Sequence, residues 1–218
     1  LSVPLVLTML HGAPTLPEGA FGERGFQSTK GVVAELGIRA SGPTSTHTYP
    51  LMEGSDVSEF AQKSPQLYLI PDRDALKKRG CRLRQEEDYR KVDFVIRQTA
   101  SWLIAAKHCG LPFRNSLLAG FEVDGMLSVL LVGLLNSALY RAVHLSGTRD
   151  VRQAVFPQVK IRQLRALPNP PRDEAGRGKV VEIAERIMRT GEVEQNRSLL
   201  DECVFELFGV PGDHRAEI

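Results

Sequence analysis

Met126-Leu-Ser-Val-Leu-Leu-Val-Gly-Leu-Leu-Asn-Ser-Ala-Leu-Tyr-Arg-Ala-Val-His144 is the most apolar run of the chain. As far as Leu135, apolar residues cover nearly every face of the helix this segment would form. A helix that is apolar all round is buried, either in a protein core or in a membrane. A membrane span needs about 20 largely uncharged residues. Asn136, Ser137, Arg141 and His144 interrupt too soon for that. The run therefore predicts one core helix over residues 126–143, with the rest of the chain packed around it.

Working upstream, Val92–Ala106 is rich in β-branched and aromatic residues and predicts two short strands or a hairpin. Leu111–Phe121 predicts another strand, and Gln66–Pro71 a short one closed by proline. Tyr49–Phe60 predicts a turn at Gly54 followed by a strand. Between these, Arg73–Lys91 is dense in charge and broken by Gly80, which predicts a surface helix and loop. Residues 1–30 carry Gly and Pro at many positions and read as a connector with a strand over Leu5–Leu10.

Downstream, an Arg-rich loop over Ser146–Gln153 leads to Val155–Pro170, and Arg172–Gly178 reads as a polar linker. Lys179–Arg189 then has apolar residues at 180, 181, 183, 184, 187 and 188, the stripe of a helix, and Glu194–Phe208 predicts a second. The expected fold is α+β: a mixed sheet built mainly from residues 50–121, a buried central helix and a C-terminal helical pair. Three regions are expected: a connector with N-terminal strands (1–48), a core (49–171) and a helical appendage (172–218).

The 218 residues are 42% hydrophobic and 25% charged, enough to bury a core without staples. Cys81, Cys109 and Cys203 are odd in number and far apart, which argues against a disulfide framework or a zinc site and suits a reducing cytoplasm. The chain opens at Leu1 rather than Met and shows no signal peptide, so it is expected to be a piece of a longer protein.

Charge is unevenly placed. Residues 73–165 hold 17 Lys+Arg against 8 Asp+Glu (+9), residues 1–72 hold 4 against 7 (−3), and residues 166–218 hold 7 against 11 (−4), which sums to the net +2. A basic middle between acidic flanks is what a surface for a polyanion looks like.

Motifs for catalysis do not assemble. Asn169-Pro170-Pro171 has the start of an adenine-binding amino-methyltransferase loop, but Arg172 stands where its aromatic ring belongs. Pro71-Asp-Arg-Asp-Ala-Leu-Lys77 puts Leu76 where a metal-dependent nuclease needs its lysine. His11, His47, His108, His144 and His214 are isolated from one another and from nucleophiles, and no P-loop, G-x-S-x-G or H-E-x-x-H occurs. No catalytic residue and no metal ligand is expected in this chain.

Leu134-Leu-Asn-Ser-x-Leu139, Phe156-Pro-Gln-Val-Lys160 and Leu164-x-x-Leu-Pro168, in that order, resemble the C-terminal target-recognition domain of TaqI-like adenine-specific DNA methyltransferases of restriction–modification systems. Gly54, Asp56, Val57 and Phe60, the two strand regions at 92–106 and 111–121, Gly25–Lys30 and the ending Leu200–Val210 extend the likeness, which spans roughly residues 50–210.

The resemblance implies recognition of double-stranded DNA at a defined site. It implies an upstream methyltransferase domain in the same parent chain, which would bind S-adenosylmethionine and flip the target adenine. This stretch itself would hold no cofactor, and the parent could also be a fused type II restriction enzyme. Arginine can bridge guanine, asparagine or glutamine can bridge adenine, and lysine or arginine neutralises phosphate. On that basis Arg97, Gln98, Arg114, Asn115, Arg149, Arg152, Lys160 and Arg162 are the expected DNA-binding residues, with Lys77, Lys78, Arg79, Arg82 and Arg84 as a secondary basic cluster. A non-catalytic interaction or phage-defence scaffold with weak, nonspecific DNA affinity is the alternative.

Overall fold

The computed structural model describes residues 5–10, 12–28, 31–123, 125–147 and 158–215. In chain order the elements are α1 (Leu5–Met9), β1 (Phe21–Gly22), α2 (Val32–Leu36), β2 (Gly37–Arg39), β3 (Tyr49–Leu51), β4 (Val57–Ser58), β5 (Ala61–Gln62) and β6 (Leu67–Leu69). They continue with α3 (Arg73–Lys78), α4 (Glu86–Arg90), β7 (Phe94–Arg97), β8 (Ala105–Lys107) and β9 (Leu117–Gly120). The helical remainder is α5 (Ser128–Leu135), α6 (Ala138–Gly147), α7 (Ile161–Arg165), α8 (Glu174–Thr190), α9 (Val193–Leu207) and α10 (Gly212–Arg215).

The class is α+β, as the sequence predicts. One sheet has the order β1-β9-β7-β8, a second β2-β6-β3, and β4 pairs with β5. All these pairs are antiparallel. Among the described residues, parallel pairing is confined to two isolated bridges, Phe26 with Arg114 and Met52 with Phe113. The first sheet is buried on both faces. Phe94, Ile96, Ala105 and Leu118 point into the main core, while Val95, Ala106, Leu117 and Ala119 point into a second one with Met52, Tyr89 and Phe113. Alternate residues serve opposite faces, and burial of both faces makes β7 and β9 apolar runs rather than alternating ones.

Every residue of α5 is buried. The single helix expected over 126–143 is, however, two helices, bent by 65° at Asn136–Ser137. Asn136 Nδ2 donates to the Val132 carbonyl (3.0 Å) and to the Ala105 carbonyl (2.9 Å), and its Oδ1 accepts the Ala105 N–H (3.0 Å). The amide thus pairs with the outer edge of β8 as another strand would, beside the Phe60 N–H, which also donates to the Ala105 carbonyl (2.9 Å). Ser137 Oγ donates to the Leu134 carbonyl (2.7 Å) and accepts the Tyr140 N–H (3.3 Å), so one helix ends and the next begins on adjacent side chains. No single helix among the described residues is long and apolar enough to cross a membrane.

Two further expectations change. Leu5–Met9 is helical, not a strand, because Val6 drops into the main core and its carbonyl accepts the Leu10 N–H (3.1 Å). Much of the linker at 172–178 is helix: α8 starts at Glu174, capped by Asp173, whose Oδ1 accepts the Ala175 N–H (3.1 Å). The C-terminal pair is packed into the main core through Val180, Ile183, Ala184, Ile187, Leu200 and Val204. Its closest approach is at Gly133 of α5, where a Cβ would lie 3.1 Å from Val180 Cγ1 and 3.3 Å from Ala184 Cβ.

Candidate nucleic-acid interface

Three chain segments meet the end of β7. Gln98 N donates to the Ser116 carbonyl (2.9 Å), Arg114 N to the Met52 carbonyl (2.9 Å) and Asn115 N to the Phe26 carbonyl (3.2 Å). Gly54 N donates to Ser116 Oγ (3.0 Å). Gly25 has no room for a side chain, since a Cβ there would lie 2.6 Å from the Arg114 backbone. These backbone ties bring together the segments that carry Arg97, Gln98, Arg114 and Asn115.

The face is concave. A groove of about 670 Å³ is lined by Arg39, Glu53, Ser55, Arg97, Thr99, Ser101, Trp102 and Ser116. Arg39 also lines a neighbouring recess with Ser28, Arg114 and Asn115. Asn115 in turn lines a small cleft with Glu23, Gln27 and Gln98. The depressions run on from one another through these shared residues.

Charge within the groove is partly matched. Glu53 is buried at 7% exposure and takes two cations: Arg39 Nη2 on Oε2 (2.5 Å) and Arg114 Nη1 on Oε1. Behind it, burial pushes the Asp56 carboxyl above its ordinary range, against the Glu53 N–H that donates to it (2.8 Å). Arg97 differs in that no carboxylate among the described residues pairs with it; its Nε, like that of Arg114, is buried without a hydrogen-bond partner.

The expected site residues divide. Arg97 lines the groove, Arg114 and Asn115 the recess, and Gln98 and Asn115 the small cleft. Exposed Lys160 is close, since Val159 N donates to the Gln98 carbonyl (2.7 Å) and Gln158 bridges Thr99. Arg162 faces elsewhere, lining a separate cavity with Leu10 and His144, whose imidazole burial pushes down. Arg149 and Arg152 lie outside the described residues.

In the secondary cluster, Lys77 and Lys78 end α3 and Arg79 is ion-paired to Glu35. The Arg82 backbone pairs with Gln27, and Arg84 Nη2 donates to the Glu23 carbonyl (3.2 Å), which sets both arginines beside the small cleft.

Sequence reasoning missed Arg39, Glu53 and Trp102. Arg39 sits in a region read as connector, and nothing local marks it. Trp102 falls in the polar break between two predicted strands, a position that favours a loop.

Asn169–Pro171 joins α7 to α8. Asn169 N donates to the Pro14 carbonyl (2.6 Å), and Arg177 donates to the Pro170 and Pro171 carbonyls (both 2.8 Å). An adenine amine needs such a carbonyl as acceptor, so these residues do not fit an adenine-binding loop. Among the described residues no group of three or more His, Cys, Asp or Glu could hold a metal.

No family model matches the chain, and no curated protein does. Among solved structures, it is similar to a chain from a structure described as the basis of "complex assembly and conformational transition of the type I R-M system", at 15% identity and a TM-score of 0.38. The match covers 97% of this chain and 49% of that one, so this chain spans about half the neighbour's length.

Proposed function

We propose that this chain is a sequence-specific duplex-DNA recognition module of a restriction–modification adenine-N6 methyltransferase. Methyl transfer from S-adenosylmethionine would belong to a separate domain of the parent. The observation that carries the reading is that Arg97, Gln98, Arg114 and Asn115 line three depressions that share Arg39 and Asn115 as lining residues. Their side chains are those that pair bidentately with guanine or adenine in the major groove. Exposed Lys160 and Arg82 flank them with charge suited to phosphate. The ordered fragments of the family resemblance support the same reading.

The test is binding of variants to specific and random duplexes across a salt series. Lys160→Ala is expected to weaken both duplexes alike and lower the salt slope by about one. Arg114→Ala or Asn115→Ala is expected to cost about 1–3 kcal/mol on the preferred site and to relax choice at one position. Wild-type behaviour in all three variants would move the DNA face elsewhere. The Glu53 ion pairs, which occupy Arg39 and Arg114, favour one second reading: a scaffold with weak, nonspecific DNA affinity. Salt-dependent binding without preference for any duplex would select it.

A further inference from the structure

The groove carries two features that its fold does not need. The first is Trp102, in the seven-residue loop 98–104 between β7 and β8. Its side chain is 40% exposed, an unfavourable position for the largest apolar surface a residue can carry. Yet it is firmly held. The indole N–H donates to Glu59 Oε1 (3.2 Å), and the Arg141 guanidinium lies 5.0 Å from the ring centroid. Glu59 is fixed in turn by Arg141 Nη2 (3.1 Å) and Arg197 Nη2 (2.5 Å). Charges from α6, α9 and the turn after β4 thus hold a ring that stays in water.

The second is Arg97, which lines the same groove with no carboxylate partner among the described residues and with its buried Nε unsatisfied. A guanidinium with no carboxylate to compete for it suits a ligand anion or a paired acceptor.

A fixed aromatic ring asks for a flat partner, and an unpaired guanidinium asks for an anion or a paired acceptor. The geometry points to a site for one unpaired nucleobase, stacked on Trp102, with its phosphate or base edge on Arg97. The groove, at about 670 Å³, has room for a nucleotide. Bases within a duplex have both faces covered, so the occupant is a base that is bulged, extruded or single-stranded. Ring stacking of this kind tolerates any base, which separates it from the base-edge reading of Gln98 and Asn115. The inference deepens the DNA reading of this face and rests on it.

Trp102 is the only tryptophan in the sequence, so the emission of the full chain reports on this groove alone. The probes are three duplexes of equal length: fully paired, carrying one unpaired thymine, and carrying an abasic unit in place of that thymine. Binding is read by anisotropy of labelled DNA and by tryptophan emission. The unpaired-thymine duplex is expected to bind roughly tenfold tighter than the abasic one and to quench Trp102. Trp102→Ala should erase that preference, Trp102→Phe should keep most of it, and Arg97→Ala should weaken the thymine duplex more than the paired one. Equal binding of all three duplexes with unchanged emission overturns the stacking site while leaving duplex recognition standing. Binding to none of them overturns both.

Discussion

Two polar groups, the Asn136 amide at the helix joint and the Arg97 guanidinium on β7, meet the β7–β8 hairpin a residue apart and live in opposite conditions. Asn136 meets Ala105, which pairs with Ile96; Arg97 follows Ile96 on the groove side. At the helix joint every amide group of Asn136 is used, and the surrounding side chains are packed to near-zero exposure. On the groove side, Arg97 keeps an unsatisfied Nε, Glu53 is shared by two arginines, and a tryptophan is left in water. Saturated polar groups specify a fold; unsaturated ones beside open space are what a ligand completes. The contrast also shows where the family resemblance lives. Leu134-Leu-Asn-Ser, the Gln158-Val159 pairing and Leu164 with Leu167-Pro168 build joints and core.

The joint is where the largest effect is expected. Asn136→Ala removes three hydrogen bonds and strands the buried Ala105 N–H, so stability should fall by about 3 kcal/mol. Urea unfolding measures this, and DNA affinity of the folded fraction should not change. A midpoint within error of wild type would mean that the joint is incidental.

Next in size is a pH effect on the sheet's other face. Burial pushes the His108 imidazole down to about 4, with its ring against Phe113 (5.2 Å). Neutral when folded, it takes up a proton on unfolding. Its contribution is therefore complete above about pH 6.5 and is lost as pH falls toward 4. Between pH 7 and pH 5 the wild type should lose about 2 kcal/mol more than His108→Gln. Parallel pH profiles for the two proteins would contradict this.

The smallest effect sharpens the groove side. Glu53→Gln removes the charge shared by Arg39 and Arg114. The groove then gains one unit of positive charge, so affinity for random duplex should rise about tenfold and the salt slope should steepen by about one. Weaker binding in that variant would mean that Glu53 positions the arginines rather than restraining them.

Much of the fold was legible because burial leaves a periodic trace. The apolar run at 128–135, the stripe at 180, 183, 184 and 187, and the strand cues at 92–106 all reflect sides that face a core. The bend at Asn136 was not legible, since it depends on Ala105, a partner distant in sequence. The same limit applied to the site. Arg97, Gln98, Arg114 and Asn115 are candidates on side-chain chemistry and strand-edge position alone. Arg39 and Glu53 reach the groove only through the pairing of β2 with β6 and the Met52 tie to Arg114, which no local pattern encodes. Arg162 shows the converse: near Lys160 in sequence, it lines a different cavity.

The central claim is that this face reads bases. Selection of bound sequences from a pool of random duplexes, with wild type and Asn115→Ala side by side, tests it most directly. The account predicts that wild type enriches a defined site and that Asn115→Ala enriches the same site with one position relaxed. Enrichment of no site by wild type, with affinity that falls steeply in salt, would contradict it.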